Sequence, residues 1–346
     1  MAYTNIDDPS AFFQTKIYTG DGQNNRAITY DGNSDMQPDF LWFKLRSTTG
    51  NHVLLDSSRG SSKYVRSNTT AAESTTDTLL KSFDTNGFTT GDSASTNYNT
   101  YTLASWGWKA NGGTTSTNTD GDINSTVQVN QDAGFSIVTD SPSNNTARSI
   151  GHGLGVAPQV VIRRARNRVE SWRVFHSAAG STGSLKLNDT SAYNSSTVLF
   201  TGVTSTTFGV GTDLSVNGNY NYISYCFAEK QGYSKFGKYV GNGNANGPFI
   251  YTGFKPAFFL LKKTSAADGW RLFDNKRAGY NDDNYRLAPD ASAAEDTATT
   301  YLDILSNGVK IRGTAGSFNQ SGGTFIYMAF AENPFTTSTG IPTTAR

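Results

Sequence analysis

Trp270-Arg271-Leu272-Phe273-Asp274 stands with its ring fourteen residues past Pro256, and the arrangement occurs twice more in the 346-residue chain. Trp172-Arg173-Val174-Phe175-His176 follows Pro158 at the same offset, and His52-Val53-Leu54-Leu55-Asp56 follows Pro38. Three matched offsets define an internal repeat, and the repeat sets the architecture before any single motif is weighed. Outward from each block the same elements recur. A buried strand follows each proline: Asp39-Phe40-Leu41-Trp42-Phe43-Lys44, Val160-Val161-Ile162-Arg163 and Ala257-Phe258-Phe259-Leu260-Leu261. Phe88 and Phe208 both lie fifty residues past their prolines. Asn86-Gly87 and Asn307-Gly308 mark hairpins, because both central residues of a tight type I′ turn need positive φ. Each copy closes on an apolar strand, ending in Trp106-Gly107-Trp108, Phe227-Ala228-Glu229 and Phe330-Ala331-Glu332.

Each copy carries roughly seven or eight short strands separated by turn residues, which is the pattern of an antiparallel sandwich. The expected fold is all-β, with three tandem antiparallel β-sandwich repeats of jelly-roll-like character. The expected divisions are an N-terminal arm over 1–15, repeats over 16–110, 134–232 and 233–335, a Gly/Thr-rich flexible linker over 111–133 and a polar tail over 336–346. Helix is expected only as single turns, at Thr69–Glu73 and Ala291–Glu295. Alternation places Trp106 and Trp108 on one face of their strand.

Composition excludes several classes of function. Twenty-nine Lys+Arg against 28 Asp+Glu leave a formal charge of +1, without the basic excess that sequence-independent nucleic-acid binding needs. Charged residues are only 16%, so the polarity comes from Gly, Ser, Thr and Asn. One cysteine, Cys226, excludes an intrachain disulfide or a Cys-based zinc site, and its apolar strand makes it a small buried hydrophobe. No run is long and apolar enough for a membrane helix. The opening Met1-Ala2-Tyr3-Thr4-Asn5 lacks the basic and apolar regions of a signal peptide, so production without classical secretion is expected. No His-x-x-x-His or Gly-x-Ser-x-Gly context is present. No catalytic residue, metal site or cofactor is expected.

Asp56 and Arg59 share the spacing Asp-x-x-Arg with Asp274 and Arg277, whereas the second copy has His176 and Ala179 there. A carboxylate and a guanidinium at this spacing serve either as a ligand clamp or as an ion pair ordering the turn; recurrence in two copies points to the ion pair. The ring at the fourteenth position could stack on a sugar, but a large side chain repeated at one place belongs to the core. Ligand candidates therefore lie where the copies differ. They are the basic run Arg163-Arg164-Ala165-Arg166-Asn167-Arg168, with Arg163, Arg164 and Arg166 expected on a solvated loop or an acidic partner's surface, then Asn242 and Asn244 of the loop 241–247, and Asp282 and Asp283 of the loop 281–284.

With these blocks in place, the chain resembles tail-fibre-like virion structural proteins of tailed phages, especially those of marine cyanobacteria. The resemblance spans nearly the whole chain. It is carried by the opening 1–10, Asp56-Ser57-Ser58-Arg59-Gly60, Ser82–Phe88, Trp108–Gly113, Ile150–Gly155, Phe227-Ala228-Glu229 and Tyr251–Pro256. It implies a particle component and carries over no catalytic residues. The expectation is a tail-fibre or appendage protein that contacts a host-surface glycan and partners other virion proteins. Self-association as a homo-oligomer, a trimer first, belongs to that expectation. A capsid decoration or adaptor without a receptor is the alternative, and a glycan depolymerase a more distant third.

Overall fold

The structure, a computed structural model, describes residues 3–279, 281, 285–298 and 301–343. Its regular elements are almost wholly antiparallel β-strands. One strand order occurs three times. Opening strands Phe13–Thr19, Phe135–Asp140 and Ser234–Val240 pair with closing strands Thr102–Trp108, Tyr222–Phe227 and Thr324–Pro334. The closing strands pair on their other side with the strands that follow each proline, Phe40–Leu45 and Val160–Ala165, or contain it, Phe254–Lys263. The ring strands come next: Val53–Asp56 and Arg173–His176, which begin just after His52 and Trp172, and Trp270–Asp274. A three-stranded sheet covers each large sheet: Arg26–Ile28 with Gly87–Thr90 and Leu80–Asp84, then Arg148–Gly151 with Thr207–Val210 and Phe200–Val203, then Phe249–Tyr251 with Gly308–Ile311 and Leu302–Leu305.

Both hairpins form, with Asp84 opposite Gly87 and Leu305 opposite Gly308, but Asn86, Asn307 and Gly308 lack the positive φ of a type I′ turn. Gly87 has φ +107° and a Cβ there would meet the Ile28 carbonyl oxygen at 2.0 Å, so only glycine fits the turn. Between the two sheets of each unit lies an apolar core: Leu41, Phe43, Leu55, Phe88 and Leu103 in the first, Val138, Val161, Phe175, Phe208 and Cys226 in the second, Phe259, Leu261, Phe273, Val309 and Phe325 in the third.

The three units are not strung out in tandem. The other faces of their large sheets converge on one shared core containing Trp42, Trp106, Ile162, Tyr225, Leu260 and Met328. At its centre three residues from equivalent registers meet. Trp108 lies 6.2 Å from Phe227 and 5.5 Å from Phe330, and Phe227 lies 5.7 Å from Phe330, between ring centroids. The chain thus closes a pseudo-threefold ring of its own units. Strands buried on both faces lose the polar alternation of a solvated sheet, and Phe40–Leu45, Val160–Ala165 and Tyr222–Phe227 are buried at every residue.

Two local expectations are corrected. The segment 111–133 is no free linker: Ser116–Asn118 and Ser125–Asn130 form a hairpin that extends the second large sheet beside Phe135–Asp140. Its Val127 and Gln128 are buried, and Gln128 donates to Ser57 and Ser58 of the first unit while accepting from the amides of Asn111 and Gly113. The segments 69–73 and 291–295 are extended, because their backbones bond across to the next unit. Among the described residues the helical turns are Pro9–Ala11, Ala94–Asn97 and Gly316–Asn319.

Opening strands end, and closing strands begin, at one end of the ring, which carries the loops 20–25, 141–147 and 241–247. The N-terminal arm lies at the other end, bound to its own chain. Tyr3 donates to the Gly253 carbonyl at 2.6 Å, Thr4 to that of Gln231 at 2.7 Å, and Asp7 accepts from the Ser338 amide at 2.6 Å.

Candidate functional site

The fourteenth-position rings are fully enclosed, each at a seam between units. Trp172 Nε1 donates to the Arg66 carbonyl and Trp270 Nε1 to that of Lys186, both at 2.8 Å. Arg66, Lys186 and Ala288 follow equivalent residues, since Val65, Leu185 and Leu287 each pair with the ring strand. His52 Nδ1 accepts from Trp42 Nε1 at 2.9 Å, so its proton sits on Nε2, which donates to the Ala288 carbonyl at 3.0 Å. Burial holds the His52 pKa well below its ordinary value, keeping the ring neutral. These rings are out of reach of a sugar.

The Asp-x-x-Arg pairs belong to the same seams. Arg59 Nε bonds Asp56 at 2.6 Å, and Tyr225 of the second unit donates to Asp56 at 2.8 Å while accepting from Arg59 Nη2 at 3.1 Å. Arg277 bonds Asp274 at 2.5 Å, and Trp106 of the first unit donates to Asp274 at 3.0 Å. The residue of the third closing strand in register with Trp106 and Tyr225 is Met328. A thioether donates nothing, so a carboxylate facing it would be short of a partner. His176 stands there instead and bonds the Tyr327 carbonyl at 3.0 Å, which explains the missing pair in the second copy.

The basic run is structural. Arg163 is wholly buried and grips Asp140 with two bonds of 2.6 and 2.7 Å. Arg164, also buried, donates to the Thr69 carbonyl at 2.8 Å and lies 5.2 Å over Trp172. Arg166 forks onto Glu73 at 2.8 and 2.9 Å. The solvated loop or acidic-partner surface expected of Arg163, Arg164 and Arg166 is thereby corrected: the strand continues to Ala165, and both of its faces are covered. A cation also stands at the sixth position past the other prolines. Lys44 donates to the Ser292 carbonyl at 3.3 Å and Lys262 to that of Thr190 at 3.0 Å. Burial lowers both lysines to about 8 and Arg164 to about 10. The proline offset in the sequence carries this recurrence as well, at Lys44, Arg164 and Lys262.

Asn242 and Asn244 are exposed, in the loop 241–247 at the loop end. Buried Asn319 shapes that loop, accepting from the Asn242 amide at 2.9 Å and donating to the Asn244 carbonyl at 2.8 Å. Asn97 does the same at Asp21, with bonds of 3.1 and 2.8 Å, and Asn217 holds the Thr146 carbonyl at 2.6 Å. One buried amide thus cinches each of three loops, leaving Asn24, Asn25, Asn144, Asn145, Asn242 and Asn244 exposed. Beside the first loop, Tyr98 stacks on Tyr101 at 4.4 Å with 42% of its surface exposed. Asp282 and Asp283 lie outside the described residues; of their loop, Asn281 is tied to Ile304 by bonds of 3.0 and 2.9 Å. Among the described residues no three His, Cys, Asp or Glu side chains cluster as metal ligands, and no helix is long and apolar enough to cross a membrane.

These features define an all-β protein of three two-layer units closed around a common core, with polar loops at one end. The chain belongs to the family described as domain of unknown function DUF7483, whose model matches residues 8–334. No curated protein and no solved structure matches it.

Proposed function

We propose that this chain is a structural component of a tailed-phage particle, a tail fibre or appendage that presents its loop end to a host-surface glycan. The observation that carries the reading is the polarity of the ring. Three Asn-rich loops share one end, and the arm is tied down at the other. Amide side chains on braced loops offer donors and acceptors to sugar hydroxyls, and three such loops at fixed spacing suit weak multivalent binding. An exposed tyrosine pair adds an apolar face for a sugar ring. The resemblance supports the assignment to a particle. Its motifs lie in the fold: Asp56–Gly60 at a seam, Ser82–Phe88 in a hairpin, and Trp108–Gly113 folded over the buried carboxylate of Asp39. In this reading the pseudo-threefold ring sits on a symmetric mount, with other virion proteins and further copies of itself at the arm end. No catalytic residue is assigned.

The test is adsorption. Purified chain is expected to compete with phage for host cells, and a variant with Asn242, Asn244, Asn144 and Asn24 changed to Ala is expected to lose that competition while folding normally. Particle imaging that places the chain on the capsid, with no inhibition of adsorption, would establish the decoration reading in its place.

A further inference from the structure

The pseudo-threefold arrangement makes three equivalent clefts, each between the turn after a ring strand and the opening strand of the next unit. Two are filled. Between the first and second units, Gln128 of the added hairpin donates to Ser57 at 3.0 Å and Ser58 at 2.8 Å. Between the second and third, Ala178 and Ala179 pack against the central core. The third cleft, between the third unit and the first, holds about 200 Å³ of open space. The register shows how it differs. Thr15, Ile137 and Phe236 occupy one position, opposite Trp106, Tyr225 and Met328. The apolar residues of the other units join the core there, whereas Thr15, 5% exposed, brings a buried hydroxyl that has no hydrogen-bond partner. Across the cleft, Asn275 Oδ1 is likewise buried without a partner.

A buried polar atom left unpaired is costly, and here the two residues that carry such atoms line one cleft. The charges around it are balanced: Asp31 pairs with Lys16 at 3.1 Å and Lys276 at 3.7 Å, and Glu332 with Lys255 at 2.6 Å. An ionic ligand would have to break one of these pairs. A hydroxyl can both donate to Asn275 Oδ1 and exchange a bond with Thr15. The volume equals that of roughly six or seven waters, enough for one sugar ring. The structure assigns this cleft, lined by Gln14, Thr15, Asp31, Asn275, Lys276 and Asn333, as a binding site for a neutral polyhydroxyl ligand of single-sugar size. It lies at the arm end, so the assignment does not rest on the loop-end reading.

The test is ligand-observed NMR and calorimetry on the full chain against glucose, galactose, mannose, N-acetylglucosamine, rhamnose, their methyl glycosides, and glycerol. At least one pyranose is expected to bind. A preference for the methyl glycoside marks the terminal residue of a glycan, and a preference for the reducing sugar marks a free monosaccharide. Thr15→Val and Asn275→Ala are each expected to weaken binding by roughly tenfold, the effect of one buried hydrogen bond. Thr15→Val places an apolar residue where Ile137 and Phe236 already stand, so it is expected to keep or raise the melting temperature. Binding of no compound in the series overturns the assignment, as does binding that survives both substitutions.

Discussion

Tyr225→Phe isolates the chemistry of one seam. The phenol oxygen donates to Asp56 at 2.8 Å and accepts from Arg59 at 3.1 Å, in a fully buried setting. Burial pushes its pKa well above the ordinary value, so the proton stays available to Asp56. The ring is stacked on Phe40 at 4.1 Å, and phenylalanine preserves that contact. The loss is therefore confined to hydrogen bonds with charged partners, worth about 1.5–3 kcal/mol. Asp56 keeps Arg59 N at 2.9 Å and Nε at 2.6 Å, and Arg59 keeps Glu73 at 2.8 Å, which places the expected cost near 2 kcal/mol, roughly a 3 °C fall in melting temperature for a chain this long. Urea unfolding supplies the free energy. Combined with Asp56→Asn, the double variant is expected to lose less than the sum, with a coupling of about 0.5–3 kcal/mol. The seam between the second and third units suggests a companion: Asp56→His, Arg59→Ala and Tyr225→Met together are expected to cost less than Asp56→Ala alone, because an ion pair removed whole leaves no stranded charge. Tyr225→Phe at wild-type stability, or strict additivity with Asp56→Asn, would refute the account of the seam.

Other expectations follow from the buried cations and imidazole. Lys44 and Lys262, lowered to about 8 by burial, bind fewer protons folded than unfolded between about pH 8 and 10.5, so stability is expected to rise with pH across that window. Lys44→Met is expected to flatten its share of the rise, measured by melting at pH 7, 8.5 and 10. His176, lowered to about 4 by burial, is expected to give stability that is full above pH 6.5 and lost as pH falls through 4; His176→Gln reduces the acid loss in the same assay. Gln128→Ala takes the bonding partner from Ser58 and from the amide of Asn111, while Ser57 and the Gly113 amide keep Asp39. The expected cost is about 1–3 kcal/mol, with faster protease cleavage within 111–124 as the direct readout.

What the sequence showed was local. The Asn-Gly hairpin, the closing strands and the Asp-x-x-Arg turns were legible because each is decided by neighbours in the chain. The ring closure was not, although its trace was there. Phe40-Leu41-Trp42-Phe43 has no polar alternation, and a sandwich with one solvated face would show it. The basic run misled for the same reason. Arg163 faces the core of its own unit and Arg164 the first unit, and charge reads as surface unless both faces are known to be covered. The segment 111–133 reads as loose because its Gly and Thr content is that of a linker; its order comes from Gln128, through contacts sixty and more residues away. Thr15 gave no signal at all. It stands out only when register places it beside Ile137 and Phe236.

The central triad has a consequence for biosynthesis. Trp108 is translated more than two hundred residues before Phe330, the last of its partners. Until that residue leaves the ribosome, the first unit carries a completed large sheet whose apolar face the third unit has yet to cover. Contacts so distant in sequence form slowly, and exposed strands aggregate while they wait. Truncation after residue 232 therefore yields a sticky fragment in place of a smaller working ring. A chain that stalls late in translation is the form most in need of a chaperone.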